Sequence, residues 1–170
     1  NVGVGYTALY SNSSGIRNTA IGTEALNANT TANNNTAVGY QAGYSNTAGG
    51  PIVAIGWKSA YTFNNAGNDT YSSCFVGVQS GFSTTTATDS TFIGGAAGYN
   101  NSSGSKNTAI GAGALLSNTT ASYNTAVGYT AGYSNTTGNA VTFIGHRAGY
   151  SNTTGAQPVF VGHEAGSSNT

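Results

Sequence analysis

The spacing of one dipeptide constrains this chain more than any other feature. An Ile or Val followed by Gly recurs ten times, with the glycines at positions 5, 22, 39, 56, 77, 94, 111, 128, 145 and 162. Successive gaps are 17 residues except for one of 21, between Gly56 and Gly77. Aligned on this marker, the consensus reads N-T-A/F-I/V-G-x-x-A-G/L-Y-S-N-T-T-G-x-x, and three residues after each glycine stands Ala or Ser. A fixed period of this kind marks a repeat architecture, and 17 residues are too few for the paired helices of repeats about 33–47 residues long. The N-T-A-I-G and A-G-Y-S-N-T segments mix β-branched and aromatic residues with Gly and Asn, which is strand and turn chemistry. The sequence therefore predicts an all-β fold, a single-stranded β-solenoid (β-roll) of ten 17-residue rungs. It forms one domain over residues 1–170, with a four-residue insertion within 57–76. Each rung is expected to carry two short strands and two turns, and ten rungs at about 4.8 Å make a rod roughly 48 Å long.

Stacking puts equivalent residues above one another. The Ile/Val column and the Ala/Ser column are expected to fill a narrow interior. Strand side chains alternate between faces, so the residue before each Ile/Val should then point outward. That column is apolar: Ala in several rungs, and Phe75, Phe92, Phe143 and Phe160 in others. A continuous apolar stripe is not left in water on a stable protein, which predicts self-association through it, as a homotrimer about the long axis. Asn12, Asn29, Asn46, Asn101, Asn118, Asn135, Asn152 and Asn169 share one repeat position, and stacked Asn side chains can hydrogen-bond along a rod. A longer period overlies the short one. Residues 18–50 and 107–139, offset by 89, are identical at 24 of 33 positions.

Composition narrows the function. Charged residues are 5% of the chain and the formal net charge is zero, so the surplus of Lys and Arg that nucleic acid requires is missing, as is the attraction for an anionic membrane surface. No stretch approaches the roughly 18 apolar residues of a membrane span, so no membrane insertion is expected. The chain opens on Asn1 without Met and reads as a mature protein or a fragment. Cys74 is the single cysteine, in a strand position usually held by Thr or Val, and is expected to be a buried, inert thiol.

The N-T-A-I-G…A-x-Y-S-N-T-T-G unit resembles the left-handed β-roll head of trimeric autotransporter adhesins of the YadA type. It is closer to tail-fibre-like proteins with tandem N-T-A-x-G-x-x-A-L-Y-S-N-T-T-G repeats. The likeness covers all 170 residues and implies a trimeric fibre that is extracellular, cell-surface or virion-borne.

Catalytic chemistry has little to draw on. The four carboxylates are Glu24, Asp69, Asp89 and Glu164, and the histidines are His146 and His163. No two carboxylates are rung neighbours, as a glycosidase pair would be. Arg147 and Glu164 should form an exposed ion pair, and His146 and His163 a solvated ladder short of the three or four ligands a metal needs. No enzyme activity, cofactor or metal is therefore expected. The insertion region, Tyr61 to Ser72, breaks the repetition, and projecting loops are where binding residues gather. Trp57, Lys58, Tyr61, Phe63 and Asp69 are the candidate ligand contacts. Nine N-x-S/T sequons occur, and Asn34 and Asn68, outside the Asn ladder, are the better glycan acceptors.

These features favour a non-enzymatic structural or adhesive fibre segment, a rod or filament subunit that presents a repetitive Tyr/Asn/Thr surface. Its expected partners are itself and cell-surface glycans or a receptor. Tyr10, Tyr44, Tyr61, Phe82, Tyr99, Tyr133 and Tyr150 form an aromatic column able to stack on sugars or to pack a trimer. The alternative is an ice-binding β-solenoid whose ranks would be Thr30, Thr47, Thr119, Thr136 and Thr153.

Overall fold

A computed structural model describes residues 1–66 and 72–170. In each rung the residues just before the marker glycine, T-A-I or a variant, form a strand. β-branched side chains flanking a small or flat one suit a pleated, half-buried surface. Ten such strands, from Val2–Val4 to Val159–Val161, pair in sequence order into one parallel sheet, with no helix among the described residues. Equivalent residues are in register: Thr19 lies beside Thr36, Ala20 beside Ala37 and Ile21 beside Val38. The fold is a β-solenoid.

Each rung holds one strand, not the expected two. A-G-Y-S-N-T is a succession of turns, because the residues two and four after the marker glycine take left-handed backbone. Lys58 has φ 52° and Ala60 φ 50°, Arg147 has φ 55° and Gly149 φ 62°. An extended strand cannot contain them. The turns still bond along the rod: the Gly43 amide donates to the Ser59 carbonyl at 2.9 Å and the Ser45 amide to the Tyr61 carbonyl at 3.1 Å.

The inside and the outside are the reverse of the expectation. Phe75, Phe92 and Phe143 are wholly buried, as are Ala20, Ala37, Ala109 and Ala126 in the same column, and Phe160 packs against this core from the last rung. The Ile/Val column faces out, with Ile93 38% and Ile110 37% exposed in the middle of the rod. The Phe column is therefore core, and the outward stripe is Ile/Val. The Ala/Ser column is buried as expected; where it is Ser, Ser59 and Ser80 donate to the Phe75 and Phe92 carbonyls at 2.9 and 2.8 Å.

A volume exchange explains how Phe fits. Phe75, Phe92, Phe143 and Phe160 each have Gly six residues later, at 81, 98, 149 and 166, where a Cβ would lie about as close as 2.5 Å to the ring. Where Leu occupies that later position (Leu9, Leu26, Leu115), the strand residue is Gly3, Ala20 or Ala109. Such a rung therefore carries one large core side chain, from one wall or the other. Beside Gly43 the space is taken by Leu26 and Ile52 instead. In the insertion rung it is Phe63, buried and tilted on Phe75 at 5.8 Å between ring centroids.

The Asn column turns inward. Asn118 donates to Asn101 at 2.6 Å, Asn135 to Asn118 at 3.2 Å, Asn152 to Asn135 at 3.0 Å and Asn169 to Asn152 at 3.0 Å. Asn29 and Asn46 are equally buried, while Asn12 at the first rung is only partly so. A second Asn column, at the start of N-T-A, acts on backbone: the Asn35 amide donates to Asn18 Oδ1 at 3.0 Å and the Asn124 amide to Asn107 Oδ1 at 2.9 Å. Rung pairing holds through Asn64, whose amide donates to the Thr85 carbonyl at 3.0 Å, and resumes at Ser73 beside Ile52. The four extra residues thus fall between 65 and 72.

Candidate functional site

Two surfaces carry side chains that the coil itself does not need. The first is the outer face of the sheet. Its two columns, running from Val2 to Val159 and from Val4 to Val161, hold Thr, Val or Ile at 19 of 20 positions, the exception being Cys74. No charge interrupts it. Cys74 is half-buried rather than buried, because it sits on this outer face between Val53 and Thr91, and burial raises its thiol pKa above the ordinary value. A shallow depression of about 230 Å³ lies beside it, lined in part by Val53, Ser73 and Thr91.

The second surface is the corner just after the marker glycine. Of the five residues expected there, the structure brings three together. Lys58 Nζ lies 5.0 Å from the Trp57 ring centroid and 5.3 Å from that of Tyr61, and Trp57 is 43% exposed. Phe63 is turned into the core, because it replaces an inward Asn, and so cannot touch a ligand. Asp69 lies outside the described residues, as does the sequon at Asn68. Tyr61 belongs to a ladder: Tyr44, Tyr61, Phe82 and Tyr99 stack at 5.1–5.2 Å with interplanar angles of 5–17°. Rings stacked along the axis turn their faces to each other and their edges outward, which leaves the inner rungs of the ladder no free face for a sugar.

Sequence reasoning missed a second corner. Arg147 lies over Tyr150 at 4.6 Å, Tyr150 stacks on Tyr133 at 5.1 Å, and Tyr129 stacks on His146 at 5.5 Å. Tyr129, Thr130, His146, Arg147 and Tyr150 line a depression of about 290 Å³. The signal that could have found it is the 89-residue internal offset, which carries Tyr40, Tyr44, Lys58 and Tyr61 onto Tyr129, Tyr133, Arg147 and Tyr150.

The remaining candidates are less productive. Arg147 and Glu164 pair at 3.2 Å with both side chains more than two-fifths exposed, an interaction worth under about 1 kcal/mol. His146, His163 and Glu164 bring three donor atoms within 4.8 Å of one another, one more than the histidines alone suggested. The two imidazoles stack 8° from parallel at 4.8 Å, so their in-plane lone pairs do not converge on one ion about 2.1 Å from each. The Thr30, Thr119 and Thr136 hydroxyls donate to next-rung carbonyls at 3.0–3.2 Å and are not a free rank for ordering water. The sequons at Asn29, Asn101, Asn118, Asn135 and Asn152 are closed to modification in the folded rod, whereas Asn34 is exposed. No helix among the described residues is long and apolar enough to cross a membrane. No protein-family model, curated protein or solved structure matches this chain.

Proposed function

We propose that this chain is a segment of a non-enzymatic extracellular fibre, a rod that associates as a homotrimer about its long axis through the outer sheet face and offers its corners to ligands. One observation carries the reading. All-parallel sheets occur almost only with both faces covered, and this one leaves a face of Thr, Ile and Val open along ten rungs. A second copy covers it best: the face has no charge to desolvate, and its repeat lets identical copies match rung for rung. The resemblance to trimeric adhesin heads and tail-fibre repeats points the same way, and so does a chain with only four carboxylates.

Sedimentation equilibrium tests it. The native chain should run as a trimer, and Ile93→Lys/Ile110→Lys as a monomer with an unchanged far-UV circular dichroism spectrum. A native chain that is a clean monomer at all concentrations overturns the proposal. The same face favours one other reading. Its Thr and Ile ranks repeat at the strand spacing on a flat surface, which suits ordering of water as an ice-binding solenoid does. Thermal hysteresis from a monomeric native chain would select that reading, and its absence would eliminate it.

A further inference from the structure

The two aromatic corners repeat one arrangement of side chains. In the first, the Lys58 amide donates to the Tyr40 carbonyl at 2.9 Å; in the second, the Arg147 amide donates to the Tyr129 carbonyl at 2.9 Å. Each places a cation over the Tyr ring three residues on, at 5.3 Å for Lys58 and 4.6 Å for Arg147. Each has a Tyr one rung away at the marker-plus-one position and a flat ring, Trp57 or His146, next to the cation. Beneath each corner, at equivalent positions, lies a polar side chain with a buried oxygen, Gln41, whose amide donates to Glu24, or Thr130, which is 9% exposed and lines the second depression.

Rung architecture does not require these side chains. In two of the four intervening rungs the same two positions are Gly95 with Ala96 and Ala112 with Gly113, and the coil continues through them unchanged. A ring, a cation and a Tyr stand at the first, second and fifth positions after the marker glycine only at 57–61 and 146–150. Lys58 makes no ion pair among the described residues, and Arg147 meets Glu164 through a single contact, so guanidinium donors remain for a ligand. An exposed ring beside a cation suits a sugar that carries a carboxylate. Tyr61 and His146 are stacked on both faces, so the C–H face meets the exposed ring of Tyr40 in the first corner or Tyr129 in the second, and the acid meets the cation.

From this geometry we infer that the rod binds carboxylate-bearing saccharides at two equivalent sites, Tyr40–Gln41–Trp57–Lys58–Tyr61 and Tyr129–Thr130–His146–Arg147–Tyr150. They lie five rungs apart, about 24 Å along the axis. A linear acidic glycan lying along the rod engages both, and the second contact is made at high effective concentration. The inference rests on the ligand-presenting half of the fibre reading and names its ligand class.

The test uses biolayer interferometry on immobilised polygalacturonate and polysialic acid, with methyl-esterified polygalacturonate as the uncharged comparator. The variants are Trp57→Ala/Lys58→Ala, His146→Ala/Arg147→Ala and the combination. Ala96 and Ala112 already occupy these two positions in other rungs, so the rod should keep its melting temperature. The native chain should bind at least one acidic polymer, and the esterified one at least tenfold more weakly. Each single-site variant should lose tenfold or more in apparent affinity, and the combined variant should not bind. Digalacturonate, too short to span the sites, should titrate with two sites per native chain and one per single-site variant. Failure of the native chain to bind either acidic polymer, equal binding of the esterified one, or undiminished binding by the combined variant overturns the inference. Sedimentation of the same samples separates the two readings. A trimer that binds no acidic glycan removes the sites and leaves the fibre, whereas a monomer that binds removes the fibre and leaves the sites.

Discussion

The marker glycine sets how closely rungs approach. Its φ is 128–138° in all ten rungs, and a Cβ on Gly94 would lie 2.6 Å from the Gly111 carbonyl oxygen. Gly94→Ala combines that overlap with an unfavourable backbone and should destabilise the rod by about 2–4 kcal/mol in denaturant unfolding. The Phe–Gly exchange gives a sharper test. Phe92→Ala should lose about 3–5 kcal/mol, and Gly98→Leu alone should drive its side chain into the Phe92 ring. The double variant reproduces the Ala109–Leu115 rung, so it should be more stable than either single one, a coupling that a double-mutant cycle measures directly. This exchange was legible in the sequence, since Phe75, Phe92, Phe143 and Phe160 each precede a Gly by six residues. Periodicity alone could not reveal it, because it lies in the differences between rungs.

At the level of the strand and the ladder, residue spacing located every strand and left its facing undetermined. Both Ala/Phe and Ile/Val are apolar, so period-two alternation is equally consistent with either column inside. Volume decides it: Phe finds a matching Gly across the core, and Ile or Val finds none. The A-G-Y-S-N-T stretch misled for a related reason, since Tyr and Thr favour strands while its left-handed positions are held by ordinary residues such as Lys58 and Thr130. The Asn ladder was legible from position alone. Asn118→Ala leaves Asn101 Oδ1 only the long bond from Asn107 and takes an acceptor from both Asn124 and Asn135, and should cost about 1–3 kcal/mol by chemical denaturation. The outer sheet carries its own reporter. Burial holds the Cys74 thiol neutral, so iodoacetamide should modify it more slowly than free cysteine at pH 8. On the proposed association through this face, Ile93→Lys/Ile110→Lys should speed that reaction, as intact-mass spectrometry would record.

For the whole molecule, stability owes little to charge. With four basic and four acidic side chains in 170 residues and one exposed ion pair among those described, raising NaCl from 0.05 to 1 M removes at most about 1 kcal/mol of ion-pair energy. The melting temperature should therefore stay flat or rise as salt strengthens apolar burial, and a marked fall would point to a charge network outside this account. What the rod could touch was only half legible in the sequence. Trp57, Lys58 and Tyr61 stood out beside the insertion, whereas the second corner emerged only once coiling had set Tyr129 beside His146. The consecutive strand order has a mechanical consequence as well. Bonds between rungs lie along the rod, and the covalent path visits each rung once, in order, so tension between the two ends unwinds the coil one turn at a time. Each turn given up exchanges about 4.8 Å of rise for about 58 Å of taut chain. A tether made this way yields in steps of about 50 Å, longer only at the 21-residue turn, and lengthens roughly twelvefold before its backbone is straight, and every undisturbed turn keeps its grip until its own bonds are reached.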